Sequence, residues 1–484
     1  MGGIYYTSTR DVGARNKFAS AEVIKKGIAD DGGLFMPSEI VQTGYDIPGG
    51  YADIAAHILS LYLTDYEKSD IISMARRAYS ETNFPDGAAK VARVTDKISA
   101  LELYHGPTSA FKDMALQIMP LLLAKALDIT DEKKKALILV ATSGDTGKAA
   151  LEGTKNMAGI NTLVFYPKDG VSEIQKLQMN TQDGDNVDVA AVAGNFDDCQ
   201  TGVKNIFADA EVRNKAEKNG IFFSSANSMN FGRLVPQVTY YFYGYAEMVK
   251  SGEIARGEVI DAAVPTGNFG NILAAYFAKK MGLPINKLIC ASNMNNILTD
   301  FFNTGIYDAN RKFYTTMSPS MDILISSNLE RLLYLAFGAA ETAEYMRSLN
   351  KTGAFTAPQI FGGDFIGMYC DEENTQATIK RVFDSCNYLI DPHTAVAFHC
   401  AEQYGSNRKT LVVSTASAYK FIRDAYCSLT GIKEDEELGL RSKLRDYTGV
   451  KIPKALDELG SKPIRFADTV EINEMKDYVL KKLI

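Results

Sequence analysis

From about residue 95 onward the chain repeats one pattern: a short apolar run, a turn of glycine and small polar residues, then a helical stretch. The runs lie at 136–140, 162–166, 187–192, 221–223, 259–264, 288–291 and 411–413. A strand that is apolar on successive residues has no face suited to water, so both its faces must be covered. Helices between successive runs supply that cover and return the chain for parallel pairing. The pattern predicts an α/β chain with two open, mostly parallel sheets and flanking helices.

Other segments depart from this rhythm and suggest a division. Residues 1–92 read as an N-terminal unit of helices and turns. Asp30-Asp31-Gly32-Gly33 marks a turn before a short apolar 34–36 closed by Pro37, and 51–79 carries helical periodicity with Ile54, Ile58, Leu61 and Leu63 near one face. Residues 93–225 are expected to form a smaller α/β unit and 226–430 a larger one, interrupted by an insertion of helix and loop at about 300–355. Residues 431–484 read as a charged helical tail.

Composition narrows the function. Lys plus Arg is 52 against 59 for Asp plus Glu, a formal charge of −7, which provides no footprint for nucleic acid or an anionic membrane. Six cysteines with no CxxC pair are too sparse for a disulfide scaffold, and four histidines leave little material for a metal site. No apolar run approaches the ~18 residues of a spanning helix, and the first residues lack the apolar core of a secretory signal. A soluble protein of the reducing cytoplasm is expected, with no metal and with a small molecule as its partner.

In open α/β sheets ligands bind at the carboxyl ends of strands, in the turns that open helices. Four such turns are chemically loaded. Pro265-Thr-Gly-Asn-Phe-Gly-Asn271 is either a tight strand-to-helix connection or a cradle in which glycines and free helix N–H groups hold a phosphate. It is neither GxGxxG nor a P-loop. Ala141-Thr-Ser-Gly-Asp-Thr-Gly147 can cap its helix or converge on a small anion such as a carboxylate. The hydroxyls of Ser414-Thr415-Ala416-Ser417 can satisfy nearby backbone or face a ligand. In Tyr104-His-Gly-Pro-Thr-Ser-Ala-Phe-Lys-Asp113, Lys112 is either a surface residue or a partly buried amine, and burial would lower its pKa and make it nucleophilic.

Taken together and in order, HGPTSAFKDMALQ, ATSGDTG, NSMNFGRLVPQ, PTGNFGN, DPHTAV and TASAYKF resemble the threonine synthase family, in its longer bacterial and fungal branch. The likeness runs from about residue 4 to about residue 430 and includes Ala29-Asp-Asp-Gly-Gly-Leu-Phe-Met-Pro37. It implies a pyridoxal-phosphate (PLP) enzyme of fold type II, that of the tryptophan synthase β-subunit, with a helical N-terminal domain. By the same resemblance Lys112 is the Schiff-base lysine, and Gly267, Asn268, Phe269, Gly270 and Asn271 hold the cofactor phosphate. Thr415 corresponds to the hydroxyl facing the pyridine nitrogen. Ser143, Gly144, Asp145 and Thr146 would hold the substrate α-carboxylate, and Asn227, Ser228, Asn230 and Arg233 its phosphate. Ala418 and Lys148 depart from the family pattern but touch none of these roles.

The implied reaction converts O-phospho-L-homoserine and water to L-threonine and phosphate. Lys112 is the base expected near the reacting carbons, and an Arg with paired donors suits a phosphate dianion. The alternatives are a PLP-dependent serine or threonine dehydratase, whose substrate has no phosphate to bind, and a non-catalytic amino-acid-binding regulator of the same fold. A nucleotide-binding oxidoreductase is disfavoured by the lack of GxGxxG. A monomer and a homodimer are both compatible with the sequence.

Overall fold

The computed structural model describes residues 3–483. A six-stranded sheet runs in the order Phe365–Tyr369, Ile285–Ser292, Ile260–Pro265, Thr410–Ser414, Ile98–Glu102 and Lys90–Arg93. Its pairings are parallel except for the last, where Lys90–Arg93 folds back on Ile98–Glu102. A second sheet, parallel throughout, is ordered Thr469–Val470, Val187–Val192, Ile160–Pro167, Lys135–Ala141 and Ile221–Ser224. Each of the seven expected runs forms a strand. Ile260–Pro265 and Thr410–Ser414 are buried at every residue, as strands covered on both faces must be.

Three features differ from expectation. Ile98–Glu102, assigned by sequence to the 93–225 unit, pairs with Thr410–Ser414 in the larger sheet. Its residues Ile98 to Leu101 are buried, so it serves as an internal strand while Lys90–Arg93 takes the exposed edge. The 431–484 tail is not only helical: Thr469–Val470 extends the smaller sheet beside Val187–Val192, and Met475 and Val479 join the core beneath the helix Phe196–Ala208. The helical stretch of 51–79 divides into Tyr51–Tyr62 and Lys68–Ala78, and Leu59 rather than Leu61 is buried.

The N-terminal residues share the main core. Tyr6–Ser8 pairs antiparallel with Phe35–Pro37. Tyr6 packs edge-on against Phe231 at 5.0 Å, and Tyr62 lies 6.3 Å from Phe277. The insertion is pinched at its base by the antiparallel pair Ile306–Asp308 and Ala354–Thr356. Among the described residues no helix is long and apolar enough to cross a membrane.

Candidate active site

The turns leaving Lys135–Ala141, Ile221–Ser224, Ile260–Pro265 and Thr410–Ser414 open into one cavity of about 840 Å³ between the two sheets. Parallel strands point their carboxyl ends the same way, which is why turns distant in sequence meet here. Lys112, Ser143, Asp145, Thr146, Asn227, Ser228, Arg233, Gly267, Asn268, Phe269, Gly270, Asn271 and Thr415 all border it.

The stretch Gly267–Asn271 forms a backbone cradle. Phe269 adopts a left-handed conformation, φ 64°, and the helix Gly270–Lys280 starts immediately after it. Its ring turns away from the cavity and stacks on Phe302 at 5.9 Å, so Phe269 offers the site only its backbone. A Cβ on Gly270 would lie 3.2 Å from Ser228 Cβ, and one on Gly267 only 2.9 Å from the Ser320 carbonyl oxygen. A side chain at Gly267 would collide with that carbonyl, and one at Gly270 would press on Ser228. The first-turn N–H groups of a helix have no partner within it and carry its positive dipole end. Tyr240 and Tyr241 each donate to Asn271 Oδ1 at 2.6 Å, which aims the amide nitrogen away from them. That Nδ2 is buried and has no protein acceptor among the described residues. Free N–H donors around a closely approachable backbone suit a phosphate.

Lys112 is buried, with its ammonium 4.4 Å above the Phe111 ring and 3.7 Å from Asp145 Oδ2. Burial, reinforced by the charges of Arg233 and Lys420 and opposed by Asp145, lowers its pKa to about 8. Burial by itself would raise the Asp145 pKa, but Lys420 and Lys112 overcome this and hold the carboxyl below its ordinary value. Lys420 Nζ stands 2.8 Å from Asp145 Oδ1 and donates to the Thr108 carbonyl at 2.9 Å. Asp145 is thus an ionised counter-charge to two lysines, so its side chain is unsuited to hold a substrate carboxylate. Only its backbone N–H, at the start of the helix Asp145–Thr154, can serve that end. Gly144 also departs from expectation. Its N–H is given to Thr142 Oγ1 at 3.0 Å, and its role is the φ of 134° that lets the turn pass Gln175.

Arg233 is 5% exposed. It donates to the Ala226 carbonyl at 2.6 Å and to Thr146 Oγ1 at 3.4 Å, and it has no carboxylate partner among the described residues. Burial lowers its pKa to about 10, so it stays cationic at neutral pH and available to an anion. Asn230 does not reach the cavity. Its Nδ2 donates to the Ile24 carbonyl at 2.9 Å, and its Oδ1 accepts from Gly232 N–H as the cap of the short helix that carries Arg233. It positions Arg233 instead of binding a ligand. Thr415 faces the cavity with a hydroxyl that makes no hydrogen bond among the described residues, while its carbonyl accepts from Phe111 N–H at 2.8 Å.

Four contributors were not foreseen. Lys420 lies within TASAYKF, and His393 within DPHTAV. His393 Nδ1 pairs with Asp391 at 2.8 Å, and its Nε2 accepts from Ser320 N–H at 3.2 Å. Asn328 and Arg331 come from the insertion. Asn328 donates to Ser228 Oγ at 2.9 Å and to the Asn268 carbonyl at 3.0 Å, joining the two candidate anion loops. Arg331 is fully buried and donates to the carbonyls of Phe35 and Met229. No local pattern in 300–355 signals these contacts.

The sequence profile of the family described as "Pyridoxal-phosphate dependent enzyme" matches residues 94–416, and that described as "Threonine synthase N terminus" matches residues 5–79. A lysine beside a phosphate-type cradle and the first of these matches define the class as PLP-dependent. Threonine synthase of Saccharomyces cerevisiae is 35% identical, covering 99% of this chain and 98% of its own. The human protein "Threonine synthase-like 1" is 38% identical over 444 residues, of which this chain spans 59% of the relative's length. The crystal structure of PLP-bound threonine synthase from Brucella melitensis superposes with a TM-score of 0.86 at 33% identity, covering 99% of both chains. This chain belongs to the threonine synthase family.

Proposed function

We propose that the chain is a threonine synthase, releasing phosphate from O-phospho-L-homoserine and adding water to give L-threonine. The observation that carries this reading is the pair of anion sites on one cavity: the Gly267–Asn271 cradle, and the buried guanidinium of Arg233, which has no carboxylate partner among the described residues. A serine or threonine dehydratase has no use for the second.

In this reading Lys112 carries the cofactor, Gly267 to Asn271 hold its phosphate through backbone N–H groups and Asn271 Nδ2, and Thr415 faces the pyridine nitrogen with a neutral hydroxyl. Bound PLP supplies an electron sink for negative charge developed at the substrate Cα. Arg233, with Asn227 and Ser228, grips the substrate phosphate and stays with it as the Cγ–O bond breaks. The Ala226 carbonyl and Thr146 Oγ1, which accept from it, keep that guanidinium in place. Ser143 and the helix N–H groups of Asp145 and Thr146 orient the α-carboxylate. Lys112, once its amine is free, takes protons from the carbons beside it. A lysine with a pKa of about 8 is partly neutral near pH 7.5 and can act as both base and acid.

The test is phosphate release and threonine formation from phosphohomoserine, with serine deamination measured in parallel and borohydride trapping of PLP on Lys112. Turnover of phosphohomoserine with slow serine deamination is expected. Ready serine deamination with no action on phosphohomoserine would replace this reading with the dehydratase.

A further inference from the structure

Of the lysines in the described residues only Lys112 and Lys420 are buried, and both face Asp145. The two carboxylate oxygens are unequally engaged. Oδ1 takes Lys420 at 2.8 Å and the Gln175 amide at 2.9 Å. Oδ2 has the Ser320 hydroxyl at 3.4 Å and Lys112 at 3.7 Å. Asp145 is thereby drawn toward Lys420 and away from close contact with Lys112. The charged groups facing Lys112 are Asp145 on Asp145–Thr154, Arg233 on Phe231–Leu234 and Lys420 on Ala418–Phe421, so two cations oppose one anion.

We propose that Lys420 is a positioning residue for Lys112: by holding the Asp145 carboxylate it denies Lys112 a tight ion pair and so favours the neutral, nucleophilic form of that amine. Lys420 works through Asp145 and by its own charge, and it reaches no reacting atom in this scheme. Its meaning for catalysis rests on the reading that Lys112 carries the cofactor. The lowered pKa of Lys112 agrees with the arrangement. A purely structural pair would not need the charges, since a neutral hydrogen-bonded pair would join the same loops without desolvating two ions.

The signs are specific. Without Lys420, the carboxylate is free to pair with Lys112 and one repulsion is lost, so Lys420→Met should raise the Lys112 titration midpoint. Asp145→Asn removes the only attraction and should lower it. An opposite charge within ~4–6 Å moves a pKa by about 1–3 units, which sets the expected shift for each. Adding Lys420→Met to Asp145→Asn should raise the midpoint again, because repulsion alone remains to be removed.

The measurement is competitive labelling of the full-length, cofactor-free chain with trace acetic anhydride over roughly pH 6 to 11, read by mass spectrometry of the Lys112 peptide. Circular dichroism checks folding. Should Lys420→Met fail to fold with Asp145 left unpaired, Asp145→Asn and the double variant decide alone. An Asp145→Asn midpoint equal to wild type, or a double variant at or below Asp145→Asn, would overturn the proposal. Borohydride trapping of PLP on each variant is the separate check on Lys112: trapping at another lysine would refute its cofactor role while leaving the labelling shifts to judge the pair.

Discussion

Arg233→Met separates a structural role from a binding one. In the folded chain burial lowers the Arg233 pKa from its ordinary 12.5 to about 10. At about 1.4 kcal/mol per unit, that drop disfavours the charged form by about 3 kcal/mol. The sign follows from linkage. A base whose folded pKa is depressed destabilises the fold at every pH below that value, and relief comes only as pH rises through about 10. At neutral pH the whole cost is present. Methionine keeps most of the volume and removes the charge, while the Ala226 carbonyl loses its donor at 2.6 Å, a loss of about 1–2 kcal/mol. The net expectation is a ligand-free chain equal to wild type or more stable by about 1–2 kcal/mol. Phosphohomoserine turnover should move the other way, falling by about 30-fold to several thousand-fold for the loss of a buried charge-assisted contact. Thermal or urea unfolding without ligands, together with kcat/KM for phosphohomoserine and for serine, makes the comparison. A variant destabilised by several kcal/mol that still turns over phosphohomoserine would refute the reasoning and make Arg233 a structural residue.

Two further substitutions probe the neighbouring groups. Gly270→Val adds a branched side chain whose Cβ meets Ser228 at 3.2 Å, so PLP retention after dialysis should fall sharply, whereas Arg233→Met should keep its cofactor; equal loss in both would mean the two anion sites have been confused. Asn230→Ala removes a helix cap and the link to Ile24, so stability should drop by about 1–2 kcal/mol, with any rise in KM following from a displaced Arg233 and diminished at lower temperature.

The parallel-strand pattern was legible because it is written in contiguous residues. Seven apolar runs carry it, and buried strands need no other signal. The same holds for the loops around Lys112, Asp145, Gly267–Asn271 and Thr415, since turns at strand ends gather wherever parallel strands align. Which side chains enter the cavity was another matter. Asn227, Ser228 and Asn230 stand within four residues of one another, yet Asn230 turns inward as a cap. Local spacing cannot tell a cap from a ligand, because both use the same amide. Ile98–Glu102, which lies in the 93–225 stretch, pairs with Thr410–Ser414 for a related reason: a strand's neighbour is chosen by the packing of the whole chain.

The sequence by itself determined the strand-and-helix rhythm, the absence of a nucleic-acid-type charge, and which strand-end turns carry glycines, hydroxyls and a lysine. Only the tertiary structure decided which charges meet. Asp145 and Lys420 are 275 positions apart, and their 2.8 Å contact depends on two sheets closing on one cleft. Asn328 and Arg331, in a segment that reads as a mere insertion, clasp both candidate anion loops. Hydrophobic pattern is a property of neighbouring residues and survives in a linear reading. Electrostatic pairing in a buried site falls off with distance in space, and that distance exists only once the chain has folded.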